Sequence, residues 1–227
     1  EYEILKERSE REELATLQAR AGGGDTMPTE PSSMSASDVM GGAVSNFGRS
    51  ARQYGAETPF LRPASISGDR IGTNPVIAHT IKYFQEEKLL IDLVCCISAT
   101  APFIQADDLR YSLLKIKADD TNYCFSVTSY PFPIQRSIRI TKENRCEMFQ
   151  PEMFNKRSQD LEDAYHDAGQ FYWGKVKAWL KNKSIFSSES IPYVLPRFRV
   201  QDIDKPEDWE RAELMYEAYK KLQNFIS

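Results

Sequence analysis

The sequence predicts an α/β domain with a mostly parallel sheet. Three observations carry that reading. Leu93-Val94-Cys95-Cys96-Ile97 is a continuous apolar run, as expected of a strand buried on both faces. Leu109, Leu113 and Ile116 follow at helical spacing, behind Asp107 and Asp108 near the helix start. Tyr123 to Val127 then reads as the next strand. Strand, helix and strand in that rhythm belong to α/β sheets, whose ligands bind beyond the carboxyl ends of the strands. Ser98-Ala99-Thr100-Ala101-Pro102 lies at one such end.

Composition bounds the function. A chain of 227 residues allows one domain with a small appendage. Hydrophobic and charged shares of 41% and 27% are those of a soluble globular protein. A net charge of −4 argues against a nucleic-acid partner, which calls for basic excess. No apolar run approaches the roughly 20 residues that span a bilayer, and no signal peptide is read. The four cysteines, Cys95, Cys96, Cys124 and Cys146, contain no C-x-x-C and are expected to be reduced thiols in a cytoplasmic protein. With only His79 and His166, a multi-histidine metal site is excluded.

Residues 1–50 read differently from the rest. Glu1 to Arg20 is charged, with a thin apolar stripe of Leu5, Leu14 and Leu17 that suits a helix. Ala21 to Ser50 is rich in Gly, Ser, Met and Pro and has no sustained period, so a flexible segment is expected. Gly22-Gly23-Gly24 suits a linker better than a phosphate loop, because neither a buried strand before it nor a placed Lys or Ser/Thr after it is present. The chain opens on Glu1 in place of Met, which reads as a fragment or a processed chain.

From Ala51 the texture changes. Arg52 to Ala56 reads as the end of a helix with Gly55 just past it. Pro59 to Pro63 is extended and Ser67-Gly68-Asp69 is a turn. Asn74 before Pro75 suits a helix cap, with Ile77, Ile81 and Phe84 on the apolar face. Residues 131–151 combine prolines, Arg136 and Arg139, and alternation through Ile138 and Ile140, and read as a protruding hairpin. Such an excursion serves a dimer contact, covers a site, or is merely a surface hairpin.

Tyr165-His166-Asp167-Ala168-Gly169-Gln170-Phe171-Tyr172-Trp173-Gly174 is the densest cluster of unusual residues. It fits the floor of a substrate pocket, and equally a packed core strand with a hydrogen-bonded His166. The final helix places Trp209, Ala212, Met215, Tyr216, Tyr219 and Leu222 on one face, which reads as core. Before it, Phe198 and Val200 alternate like a strand end, and Pro206-Glu207-Asp208 reads as a helix first turn. Asp202 and Asp204 sit at the junction. Residues two apart in extended backbone point the same way, and two adjacent carboxylates repel unless a cation sits between them. Such oxygen ligands suit Mg²⁺ with substrate phosphates. Asp204 to Glu207 is also a capping box, with Asp204 as N-cap and Glu207 at the third position, so both readings stand.

Several stretches together resemble one family. They are Tyr54-Gly55-Ala56 with Pro59 to Pro63, Ala99-Thr100-Ala101-Pro102-Phe103, Tyr165 to Gly174, and Asp202 to Trp209. In order and spacing they resemble the CMP-sialic acid synthetases, and within them the pseudaminic acid cytidylyltransferases, from about Ala51 to the C-terminus. The resemblance implies a Rossmann-like, three-layer nucleotide-diphospho-sugar transferase fold, use of CTP and Mg²⁺, a nonulosonic acid substrate and a homodimer. It implies that Asp202 and Asp204 bind the metal and are catalytic. It implies that Arg62, Ser98, Ala99 and Thr100 border the nucleotide, and that Gln159, His166, Asp167, Gly169 and Gln170 line the sugar pocket. Residues 131–159 would be the dimerisation arm.

The resemblance stops before Ala51. The family opens with a buried strand and a loop of the form I-P-A-R-x-G-S-K-x-I-x-x-K-N, whose backbone and basic residues hold the triphosphate. Leu17 to Gly24 is the nearest match here. Arg20 fits as a nucleotide-binding residue, whereas the Ser and both Lys are missing. A frameshifted or rearranged gene would account for this, and a family motif in another frame upstream of Ala51 would be its mark. Three functions therefore compete: a CTP-dependent sugar-acid activating enzyme, an impaired or binding-only homologue lacking the phosphate loop, and a sugar nucleotidyltransferase using another base.

Overall fold

The computed structural model describes residues 2–6, 51–68 and 70–226. They fall into two compact units, residues 51–91 and residues 2–6 with 92–226, so a boundary runs through the α/β stretch expected from Ala51 onward. The expected flexible segment 7–50, its Gly22-Gly23-Gly24 and Arg20 lie outside the described residues.

In the smaller unit, residues 51–53 are helical and Gly55, at φ +86°, ends the turn as expected. The helix α1 runs Thr73–Glu86. Its N-cap is Gly72 and not Asn74; Pro75 falls in the first turn, where its missing N–H is no loss. Ile77 and Ile81 are fully buried along its apolar stripe.

In the larger unit the apolar run becomes β2, Leu93–Ser98, as read. It lies between β1 (Tyr2–Lys6) and β6 (Tyr165–Lys175), antiparallel to both. The helix expected over residues 1–20 is thus a strand at residues 2–6. Cys95 and Cys96 are both fully buried on opposite faces. Burial pushes the Cys96 thiol up to about 12 and that of Cys124 to about 11, which keeps both protonated and inert.

The helix α2, Ala106–Ala118, buries Leu109 and Ile116. It leads to β3, Tyr123–Ser129, nearly all of which is buried. The short helix α3, Val176–Leu180, follows β6, and β7, Ser190–Val194, runs parallel to β3 at the sheet edge. The strand order is β1-β2-β6-β3-β7. The α/β class holds, and β2, β3 and β7 point the same way. β6 runs against them between β2 and β3, so parallel pairing is confined to β3 and β7. A strand that arrives from the hairpin side enters from the opposite end of the sheet, which no local pattern reveals.

Residues 131–159 do stand apart from the central sheet. Their strands β4 (Ile138–Ile140) and β5 (Cys146–Met148) form a separate antiparallel pair. Arg139 binds Glu147 across it at 3.0 Å.

The last helix, α4, spans Pro206–Ile226 and starts where its proline said it would. The core face expected on it is not there. Ala212 is buried, but Trp209, Tyr216 and Leu222 are 40%, 36% and 51% exposed. Charged residues crowd the other positions, and only a narrow strip touches its surroundings, with Tyr216 near Phe103 and Tyr219 near Phe198. The strand end expected at Phe198 and Val200 is likewise absent: Arg197–Arg199 is a 3₁₀ turn, and no ladder follows it.

Candidate functional site

β6 is organised in two halves. Its C-terminal half pairs with β3 in one register, from Tyr123 opposite Gly174 to Phe125 opposite Tyr172. Its N-terminal half pairs in another, from Val127 opposite Asp167 to Ser129 opposite Tyr165. Residues 168–171 stand opposite Ser126 alone, three more than a regular ladder would place there. Fully buried Ser126 holds the bulge by accepting the N–H of Gln170 at 3.2 Å and of Phe171 at 3.1 Å. Asp167 closes it from the other side. Its Oδ1 accepts the Gly169 N–H at 2.9 Å and its Oδ2 the Tyr172 hydroxyl at 2.6 Å. Gly169 sits at φ +65°, a conformation that favours glycine.

That bulge meets the acidic segment. A methyl group added at Gly169 would lie 3.8 Å from Asp202 Oδ2, ordinary contact distance, so the carboxylate lies beside the bulge and it is the positive φ that calls for glycine there. Thr100, just past β2, donates its hydroxyl to Asp202 Oδ1 at 3.1 Å, and the Ile203 N–H donates to the same oxygen at 3.1 Å. Three separate parts of the chain converge here: the loop after β2, the β6 bulge and the segment before α4. Their sequence separation, 102 residues between Thr100 and Asp202, is why no local pattern shows the contact.

Asp204 does not cap α4. With Pro206 as the first helical residue, the cap falls at Lys205, and Asp208 reaches back to accept the N–H of Asp204 at 3.1 Å and of Lys205 at 3.0 Å. Only the backward half of a capping box is present, one residue later than the box read between Asp204 and Glu207, because the Lys205 side chain has no acceptor to return. Asp204 is exposed, and its carboxylate takes no partner among the described residues. Neither Asp202 nor Asp204 is paired with a cation there. A divalent cation fits this donor set: hard carboxylate oxygens, Asp202 Oδ2 facing a glycine, and Asp204 free to turn. No cluster of three or more metal-ligating side chains occurs among the described residues, so such an ion would need oxygens from a substrate to complete its shell.

The other expected site residues divide. Ser98 is half-buried at the end of β2, and Ala99 is exposed beside it. His166 is half-buried, packs edge-on against Tyr130 at 4.8 Å, and places Nδ1 2.8 Å from the Asp167 carbonyl. A carbonyl only accepts, so Nδ1 carries the proton and Nε2 is left as the second ring nitrogen. Gln170 is buried and donates its amide to the Arg199 carbonyl at 2.5 Å. Gln159 is exposed in the 3₁₀ turn Ser158–Asp160 at the foot of the hairpin, with no contact to the Asp202 cluster. Arg62 is exposed in the smaller unit.

Sequence reasoning missed Asp108 and Arg199. Arg199 spans both oxygens of Asp108, with Nη2 to Oδ1 at 3.1 Å and Nη1 to Oδ2 at 2.5 Å. Asp108 is 5% exposed. Tyr193 donates its hydroxyl to Asp108 Oδ1 at 3.3 Å, and burial, with the Asp108 charge adding to it, pushes that hydroxyl up to about 12. An Asp at the third position of a helix reads as dipole compensation, and nothing local names its partner.

A carboxylate held beside the loop that follows β2 lies where an α/β sheet binds its ligand. No family model matches the chain. It is 39% identical over 168 residues to the pseudaminic acid cytidylyltransferase of Campylobacter jejuni subsp. jejuni serotype O:2, covering 74% of this chain and 72% of that one. It is 26% identical over 174 residues to the CMP-N,N'-diacetyllegionaminic acid synthase of Legionella pneumophila, again covering 74% and 72%. Among solved structures it is similar to CMP:2-keto-3-deoxy-manno-octonic acid synthetase complexed with CTP, at TM-score 0.49 and 11% identity, over 76% of this chain and 78% of that one. The chain belongs to the pseudaminic acid cytidylyltransferase family.

Proposed function

We propose that the protein activates a nonulosonic acid, pseudaminic acid, with CTP, giving the CMP-sugar and pyrophosphate. The observation that carries this is the 39% identity to a relative of that name across three quarters of the chain. In the reaction the sugar's anomeric hydroxyl attacks the α-phosphorus of CTP. A new O–P bond forms, the α–β anhydride bond breaks with its electrons going to pyrophosphate, and the hydroxyl proton leaves to solvent. The protein's task is to position the reactants in line and neutralise phosphate charge.

Asp202 and Asp204 would hold a divalent cation, and Mg²⁺ is the one their oxygen chemistry favours. Bound there, the ion would neutralise charge on the phosphates. Thr100 occupies Asp202 Oδ1, which leaves Oδ2, beside Gly169, as the oxygen for the ion. Ser98, Ala99 and Thr100 would border the nucleotide. His166, Asp167, Gly169 and Gln170 would form one wall of the sugar pocket, with Gln159 contributed by the hairpin foot. Within that wall Asp167 shapes the backbone, since both its oxygens are occupied by Gly169 and Tyr172. Pyrophosphate release from CTP, Mg²⁺ and pseudaminic acid tests the reading. Release that depends on all three is expected; none from a folded chain that still binds CMP-sugar would favour a binding-only homologue. That second reading is supported by the missing Ser and Lys residues around Arg20.

A homodimer through the hairpin completes the proposal. Phe132, Ile138, Ile140, Phe149 and Phe154 are 79%, 54%, 72%, 60% and 70% exposed on it. So many large apolar side chains on one excursion favour a protein partner over solvent. Sedimentation should give a dimer, and Ile140→Asp with Phe149→Asp should give a monomer with an unchanged fold. A parent that sediments as a monomer at micromolar concentration would remove this part.

A further inference from the structure

We infer that Asp108, Arg199 and Gln170 form a buried clamp that fixes the segment bearing Asp202 and Asp204, so that Asp108 and Arg199 are positioning residues for divalent-cation binding. The inference rests on the metal reading of the two carboxylates.

Arg199 lies three residues before Asp202 and is held at both ends. Its guanidinium spans the two Asp108 oxygens. Its carbonyl accepts the Gln170 amide. Gln170 is next to Gly169, which in turn abuts Asp202. One short path therefore links α2 to the acidic segment, and a second links the β6 bulge to it. The elements are rigid: Asp108 also accepts the Gln105 N–H at 3.3 Å in the first turn of α2, and Ser126 anchors the Gln170 backbone.

The energetics favour a geometric role. A buried ion pair stabilises a fold little better than apolar side chains of equal size, because desolvation offsets the attraction. What it supplies is direction, since a guanidinium fork fits a carboxylate in one plane. The acidic segment has no ladder of its own; besides the clamp it is held by the Thr100 hydroxyl on Asp202 Oδ1, by Gln201 Nε2 on the Asp202 carbonyl at 2.7 Å, and by Asp208 at the start of α4. Removing a group hydrogen-bonded directly to a metal ligand typically weakens metal affinity about 10–100-fold, and a clamp that acts three residues from Asp202 is expected at the low end of that range.

Mn²⁺ alone is the probe, titrated into the full chain by water-proton relaxation, with Asp204→Asn as the control for the site. Arg199→Lys keeps the charge and loses the fork; Asp108→Asn keeps the size and loses the charge. Both are expected to raise the Mn²⁺ Kd about tenfold. Amide exchange at Ile203 should speed up in both while β2 and β3 stay protected, which a general loss of stability would not produce. If Asp108→Asn does not fold, Arg199→Lys decides by the same readouts. A folded Arg199→Lys with Kd within twofold of the parent and unchanged exchange at Ile203 overturns the clamp while leaving the metal site intact. A parent whose Mn²⁺ binding is untouched by Asp204→Asn overturns the metal reading, and the clamp with it.

Discussion

Asp204→Ala is expected to lower pyrophosphate release from CTP by about 10²–10³-fold, the range for removing one preorganised charge-stabilising group, with no loss of thermal stability. The two halves of that result separate function from structure. Asp204 is exposed, its side chain binds nothing among the described residues, and α4 is capped by Asp208 instead. Deleting its carboxylate removes no bond among the described residues, so the melting temperature should hold. Asp202→Ala should differ. It loses activity to a similar degree, but it also gives up the bonds from Thr100 and Ile203, and so melts earlier. Asp202→Asn tests the point further, because an amide oxygen still accepts both bonds while the negative charge is gone. Turnover of Asp204→Ala within about tenfold of the parent would be too small for this role and would return Asp204 to the status of a surface acid. Differential scanning of both variants beside the assay makes the comparison complete.

The sequence made some of this legible and not the rest, and the difference is one of range. β2 could be read because both its faces are buried, so its apolar run is uninterrupted. The start of α4 could be read because proline constrains its own φ. The hairpin could be read because its alternation is local. By contrast, β7 went unread: Pro192 interrupts its pattern, as suits an edge strand whose outer side needs no ladder bond. The direction of β6 was hidden because a strand's residues do not say which way it enters a sheet. The Tyr165–Gly174 cluster was seen as one feature, pocket floor or core strand. It is divided instead, with the bulge at the acidic cluster and the C-terminal half in the core, because the register shift opposite Ser126 separates them. Asp202 and Asp204 were visible as a pair, but Thr100, Gly169 and Asp108 join them only through contacts that cross the fold. The capping box was misplaced by one residue because Glu207 and Asp208 are both plausible caps, and only the position of Pro206 in the first turn decides between them.

The same division predicts the largest stability effect. Gly174→Ala is expected to destabilise the protein by about 3 kcal/mol, the upper range for overpacking a filled core. Backbone entropy argues the other way, since replacing glycine in a strand by alanine should gain about 0.5–1 kcal/mol, and Gly174 has no positive φ to forbid it. Sterics decide the sign. A Cβ at Gly174 would lie 2.4 Å from Trp179 Nε1, 2.6 Å from Trp179 Cε2 and 2.7 Å from Tyr123 Cδ1. Neither ring can step back cheaply. Trp179 is buried and donates to the Val94 carbonyl at 3.4 Å; Tyr123 is buried, donates to the Lys183 carbonyl at 3.2 Å, and meets Trp179 edge-on at 4.9 Å. Both rings lean on the central strand, where Gly174 is opposite Val94 on one side and Tyr123 on the other. For a chain of this size the cost corresponds to a fall of about 6–12 °C in melting temperature. Trp179→Ala opens the space at its own cost, so the double variant should be far less destabilised than the sum of the two singles. Additive losses, or a Gly174→Ala chain that melts at or above the parent, would mean that the rings have room and that Gly174 is small for another reason. Mn²⁺ binding should survive in folded Gly174→Ala, because this end of β6 closes the core while the bulge at Gly169 lies beside Asp202.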